Sequence, residues 1–186
     1  MSELTLAKAK EILAKHTTEA HLFTHAAAVS AAMGAMADHF GADKEYWEAI
    51  GYLHDVDYEE FPDEHCHHVR ELLAPEGVDE EVIQAIISHG WGITTDEKEP
   101  VTDMEKSLYT VDELTGIVQA YALMRPEKMD GMELKSLKKK FKDKKFAAKC
   151  SRDTIKKGME MLGMEPSAVM QCCIDGMQAH KEELGF

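Results

Sequence analysis

The sequence predicts an all-α fold, and three observations predict it. Apolar residues recur at spacings of three and four along the whole chain; Val, Ile, Thr and the aromatics nowhere alternate with polar residues for long; and Gly and Pro cut the chain into pieces of helical length. Helices are expected over residues 5–15 and 18–40, ahead of Gly41, the second carrying the apolar stripe Ala26, Val29 and Met33. A third, over 44–54, leads in with Trp47, Ile50 and Leu53 and ends where the chain turns acidic and aromatic. A fourth, over 65–73, lies between Pro62 and the stop Pro75-Glu76-Gly77; a fifth, over 79–89, contains the run Val82 to Ser88 and ends at Gly90. The sixth, over 103–123, sits between Pro100 and Pro126 with Leu108 on its stripe. After Gly131 a seventh, over 133–148, can turn Leu134, Leu137, Phe141 and Phe146 to the core. The eighth, over 151–162, starts at Ser151 with Thr154 one turn on and stops at Gly163, and the ninth, over 166–184, begins with a first-turn proline.

No internal repeat and no separating linker is visible, so one domain over 1–186 is expected, with a core over about 18–125 and the helices of 133–184 packed on it. The formal net charge of −14 repels nucleic-acid phosphates, while 44% hydrophobic residues suffice for a packed core. These values exclude a disordered acidic tail and a nucleic-acid backbone binder. No apolar stretch approaches membrane-spanning length, and Met1-Ser2-Glu3-Leu4 lacks the order of a signal peptide, which predicts a cytoplasmic protein with no membrane partner. Cys66, Cys150, Cys172 and Cys173 show no framework spacing and read as reduced thiols, with Cys66 set apart by its place inside a histidine cluster. Several of the twelve methionines fall near the C-terminus (Met159, Met161, Met164, Met170, Met177), where they fill core gaps; exposed, such a face would suit a homodimer.

Charge is unevenly distributed. Between Lys135 and Lys149 eight lysines face one acid, Asp143, a balance of +7 that leaves 13 basic against 34 acidic residues, −21, elsewhere. Such a reversal is either a solvated helix face, with Lys138, Lys142, Lys145 and Lys149 as its stripe, or a holder for an anion.

Nine of the ten histidines lie in the first half of the chain. Imidazole is the commonest metal ligand in proteins, so a metal site there is the first functional expectation. His54 and Asp55 are adjacent, and neighbours on a helix diverge by about 100°, so the two can address one ion only at a helix end. His25 lies on an otherwise apolar helix, His89 closes an apolar run, and Asp112 is four residues after Leu108 with Gly116 leaving room one turn on.

Read in order, these positions are His25, His54-Asp55, His65, His89 and Asp112. The pattern resembles the HD superfamily of metal-dependent phosphohydrolases, and in particular its small stand-alone hydrolases. Leu53 to Tyr58, Asp112 to Gly116 and Lys138 to Lys144 each match a motif of that group, and the likeness spans roughly residues 22–179. It implies a helical HD-domain fold with the metal site inside the bundle and one or two divalent ions, drawn from Mn, Fe, Co, Ni, Zn or Mg. His25, His54, Asp55 and Asp112 match the four ligands of the first ion. His65 and His89 match those of a second, with Asp55 as the bridge and His68 as the substitute for His65, its partner on one face at helical spacing. The family commonly has a second histidine after His89, where this chain has Gly90-Trp91. The substrate would be a small phosphorylated metabolite or nucleotide attacked by an activated water, with Asp55 itself part of the catalytic set. Asp57 and Glu113, each beside a ligand, are candidate general bases whose bland reading is an outward-facing carboxylate. Lys138, Lys139 and Lys142 are candidate phosphate holders. Two other readings of the same resemblance are a di-iron oxygenase and a non-catalytic ligand-binding or signalling module. A complete ligand set speaks against the module, because two carboxylates and two imidazoles are costly to bury without an ion.

Overall fold

The computed structural model describes residues 4–186; Met1 to Glu3, on which the N-terminal reading partly rests, lie outside them. Among the described residues the regular structure is helical: α1 (Leu6–His16), α2 (Ala20–Phe40), α3 (Lys44–Leu53), α4 (Val69–Leu73), α5 (Glu80–Ile87), α6 (Asp103–Met124), α7 (Leu134–Lys142), α8 (Arg152–Leu162) and α9 (Pro166–Ala179). Three 3-10 turns and one isolated bridge, Trp91 to Thr95, complete it. No described helix is long and apolar enough to cross a membrane.

The alanine-rich α2 is the central rod. Ala28, Ala32, Met33 and Met36 are fully buried, and α3, α6 and α9 pack around them while α1 lies on α3 and α8 on α6. Small side chains let these helices come close. A Cβ at Gly51 would stand 3.0 Å from Met33 Cγ and 3.1 Å from Val29 O, so the glycine seats the end of α3 directly on α2. Fully buried Ile50, Leu53, Ile83, Ile86, Leu108, Leu114 and Ile117 fill the space between α3, α5 and α6, at roughly 1.5–3 kcal/mol of hydrophobic stabilisation for each such side chain. Thr102 and Glu105 start α6 with a capping box, worth about 1 kcal/mol. Met159, Met170 and Met177 are buried in the core, so they present no exposed Met-rich face.

Three expected helices are shorter than their apolar spacing suggests. Residues 65–68 are not helical: His65 has ψ 134° and Cys66 has φ 76°, so α4 begins only at Val69. α7 ends at Lys142 because Arg152 competes for its carbonyls. That guanidinium donates to the carbonyl oxygens of Lys140, Phe141, Asp143, Phe146, Ala147 and Cys150, gathering residues 143–150 into a turn. Lys145 and Lys149 therefore leave the expected stripe. α9 stops at Ala179, after which Gly185 at φ 79° and the bond from Phe186 N to Lys181 O fold Leu184 back into the core.

Candidate metal centre

Two histidines are presented by the same local device. His54 directly follows α3, and His89 lies in the 3-10 turn that ends α5. In each ring Nδ1–H donates to a carbonyl three residues back, Gly51 O at 2.7 Å and Ile86 O at 2.5 Å. A carbonyl only accepts, so each Nδ1 carries a hydrogen and each ring points its Nε2 inward. His65 is held likewise, its Nδ1 donating to Asp57 Oδ1 at 2.8 Å.

The inward atoms converge. His25 Nε2 lies 3.1 Å from His54 Nε2; both stand 3.0 Å from Asp112 Oδ1 and 3.3 Å from Asp55 Oδ2. On the other side of Asp55, Oδ1 is 3.1 Å from His65 Nε2 and 3.4 Å from His89 Nε2, and these two nitrogens are 3.1 Å apart. Asp55 thus gives one oxygen to each group.

Donors about 2.1 Å from one ion are about 3.0 Å apart at right angles and about 3.4 Å apart at tetrahedral angles, which is the observed range. At such distances the imidazole nitrogens and carboxylate oxygens are held together either by protons on the rings or by a cation among them. The donor set therefore fits a divalent ion at His25, His54, Asp55 and Asp112, and the second group is built on the same plan. His54, Asp57 and His89 are buried, whereas the side chains of His25, Asp55 and Asp112 stay 21–25% exposed, so the centre opens on one side, as access by water and substrate requires.

Electrostatics agree. Burial pushes the His25 imidazole down, but Asp112 and Asp55 outweigh it and raise its pKa to about 10; His54 and His89 are raised as well. Asp55 and Asp112 are held far below the usual carboxylate range by the surrounding imidazoles, against the opposing effect of burial. The cluster demands positive charge, which protons or metal ions supply. Burial also raises the Cys66 thiol, yet its histidine neighbours bring it down to about 6.

The structure places the remaining site candidates as follows. His65 enters the cluster, whereas His68 pairs with Glu64 and Glu71 outside it; the chain there is not helical, so the choice is made by the Asp57 bond and not by helical spacing. Asp57 faces inward. It is fully buried and both its oxygens are engaged, Oδ1 by His65 and Oδ2 by His68 N, which corrects the outward-facing reading. Glu113 is half-buried beside the cluster and its Oε2 accepts from Ser151 N at 3.1 Å; burial and the charge of Asp112 raise its pKa. The room expected at Gly116 is taken by Cys150, whose Sγ would stand 2.7 Å from a Cβ there. Lys138 and Lys142 line a cleft of about 820 Å³ among α7, α8 and α9 that includes Cys150 and Ser151 but none of the six clustered side chains. Lys139 is exposed and does not line it.

Sequence reasoning missed Glu59. Its carboxylate accepts from the backbone N–H groups of Thr18 and Glu19, tying the start of α2, and so His25, to the loop after Asp55. The only signal was its closeness to Asp55.

Comparison with known families matches the HD domain to residues 22–117, a span that contains all six clustered side chains and ends in α6. Neither the curated proteins nor the solved structures give a match.

Proposed function

Since the chain belongs to the HD-domain family, within a superfamily of metal-dependent hydrolases, we propose that it is a phosphohydrolase acting on a small phosphorylated metabolite or a nucleotide. The observation that carries this reading is the convergence of His25, His54, Asp55 and Asp112 at 3.0–3.3 Å around a space that demands a cation. A divalent ion held there would acidify a water, orient a phosphate oxygen and neutralise the charge that develops as the ester breaks.

The chain's own groups do the rest. Gly51 O and Ile86 O hold the Nδ1 hydrogens of His54 and His89, so both rings stay aimed with Nε2 turned to the centre. Asp57 does the same for His65 and is a positioning residue. Asp55 bridges the two halves of the centre. Glu113, next to Asp112 and raised by its surroundings, is placed to hold the proton that a leaving oxygen needs. Lys138 and Lys142 would hold the substrate's anionic part, in a cleft whose Ser151 donates its backbone N–H to Glu113 beside the centre. Four free thiols suit a reducing compartment, which supports a cytoplasmic location.

Protein purified without chelator and assayed against nucleotides and sugar phosphates tests the reading. Phosphate release that stops on metal removal and returns on metal addition supports it, and metal-loaded protein that hydrolyses none of them counts against it. The two-sided Asp55 also favours one second reading, a di-iron oxygenase using the same six side chains; iron content with dioxygen consumption, in place of phosphate release, would select that reading.

A further inference from the structure

We propose that Cys66 is a ligand of the second ion position, completing a set of His65, Cys66, His89 and Asp55 Oδ1 that mixes nitrogen, sulfur and oxygen. The proposal rests on the metal-centre reading above and adds to it a residue that the two-histidine pattern does not contain.

Four features of the structure support it. Cys66 Sγ lies 3.9 Å from His89 Nε2, and the donor atoms of His65, Cys66 and His89 all fall within 4.8 Å of one another. A zinc ion with nitrogen at about 2.05 Å and sulfur at about 2.3 Å separates those donors by about 3.6 Å at the tetrahedral angle, a few tenths from the observed spacing. The sulfur is enclosed, since Cys66 is 2% exposed, and its φ of 76° directs it to the same side as His65, although the two are adjacent in the chain. The residue after His89 also gives way: a Cβ at Gly90 would collide with Thr94 Oγ1 and stand 2.7 Å from Cys66 Sγ, so a glycine there lets both side chains approach. Finally, Nδ1 of His65 and of His89 is committed to Asp57 and Ile86 O, so both Nε2 atoms are left facing each other and the sulfur, where a cation can replace the protons that otherwise hold them together.

A thiolate changes which cation. Sulfur favours zinc, cobalt and ferrous iron over magnesium and manganese, so the second position would be more selective than the first, which offers only imidazole and carboxylate.

The test is cobalt(II) titration of the chelator-stripped full-length chain, read by its near-ultraviolet sulfur-to-cobalt absorption and by the number of ions bound. The proposal expects two ions per chain with that absorption growing as the second binds. Cys66→Ser should abolish the absorption and weaken the second ion by more than tenfold while the first stays bound, and His89→Ala should likewise remove the second ion. X-ray absorption of the zinc-loaded wild type needs no variant and should show a sulfur neighbour at about 2.3 Å. Two bound ions with only nitrogen and oxygen neighbours, an absorption that survives Cys66→Ser, or a single ion per chain without sulfur would each overturn the role of Cys66 alone. Failure to bind cobalt or zinc at all, or binding unchanged in His54→Ala, would overturn the centre and the proposal with it.

Discussion

The histidine pocket among α2, α3, α5 and α6 and the lysine-rich turn between α7 and α8 are both dense in ionisable groups, and they differ in what surrounds those groups. In the pocket His54 and His89 are buried and each donor atom has another donor atom as its neighbour. Along the end of α7 and the turn after it, Lys139, Lys142, Lys144 and Lys145 are exposed, and among the described residues none of them forms an ion pair through its ammonium group. Crowding of charge is inexpensive in water and costly out of it, so the pocket requires a compensating ion and the lysines require nothing. The comparison therefore predicts large effects in one region and small ones in the other.

The largest expected effect is at His54. His54→Ala should leave a helical protein that no longer gains thermal stability from added metal, where the wild type gains about 2.7 kcal/mol with free metal at 100 times its dissociation constant. Melting with and without chelator checks this, and an equal gain in both proteins would remove the contrast between the regions. Next is Asp57, whose side chain bonds His65 and the backbone N–H of His68. Asp57→Asn should weaken the ion at the His65 side by roughly 10–100-fold with little change at His25, measured by metal titration.

A third effect depends on pH. In metal-free protein the folded pKa of His25 is raised from 6.5 to about 10, so its contribution to stability is fully present below pH 6.5 and is lost as pH rises through about 10. Metal must displace that proton, so affinity should increase across the same interval. The melting gap between metal-loaded and stripped protein should accordingly widen from pH 6.5 towards 10, and a constant gap would mean that His25 is not a ligand. The smallest effects on stability belong to the lysines. Lys138→Gln or Lys142→Gln should cost roughly 1.5–3 kcal/mol in substrate binding if the cleft holds phosphate, whereas Lys139→Gln should stay within about 0.5 kcal/mol in stability and leave turnover unchanged. Equal turnover in all three across a range of salt concentrations would make the whole turn a solvated surface.

What the sequence revealed follows the same divide. Helix ends marked by local chemistry were legible: α3 stops at Leu53 with His54 beside its last turn, and α5 ends ahead of Gly90. Apolar spacing failed where a distant group decides the backbone. It extends α7 to 148, but Arg152 takes the carbonyls of Lys140, Phe141 and Asp143 that a longer helix would need. It also selects His65 through a helix that does not exist; the selecting contact is with Asp57, eight residues away, which no periodicity encodes. Cys66 could be noticed for its histidine neighbours, but its inward turn depends on a positive φ that the sequence does not announce for a cysteine.

The central claim is that Asp55 joins two ion positions, Oδ2 serving His25 and His54 while Oδ1 serves His65 and His89. Elemental analysis of wild type, His89→Ala and Asp55→Ala, purified side by side without chelator and checked for helicity, tests it most directly. The account predicts two divalent ions per chain in the wild type, one in His89→Ala and none in Asp55→Ala. A wild type without metal, or an Asp55→Ala variant that keeps its full complement, would contradict it.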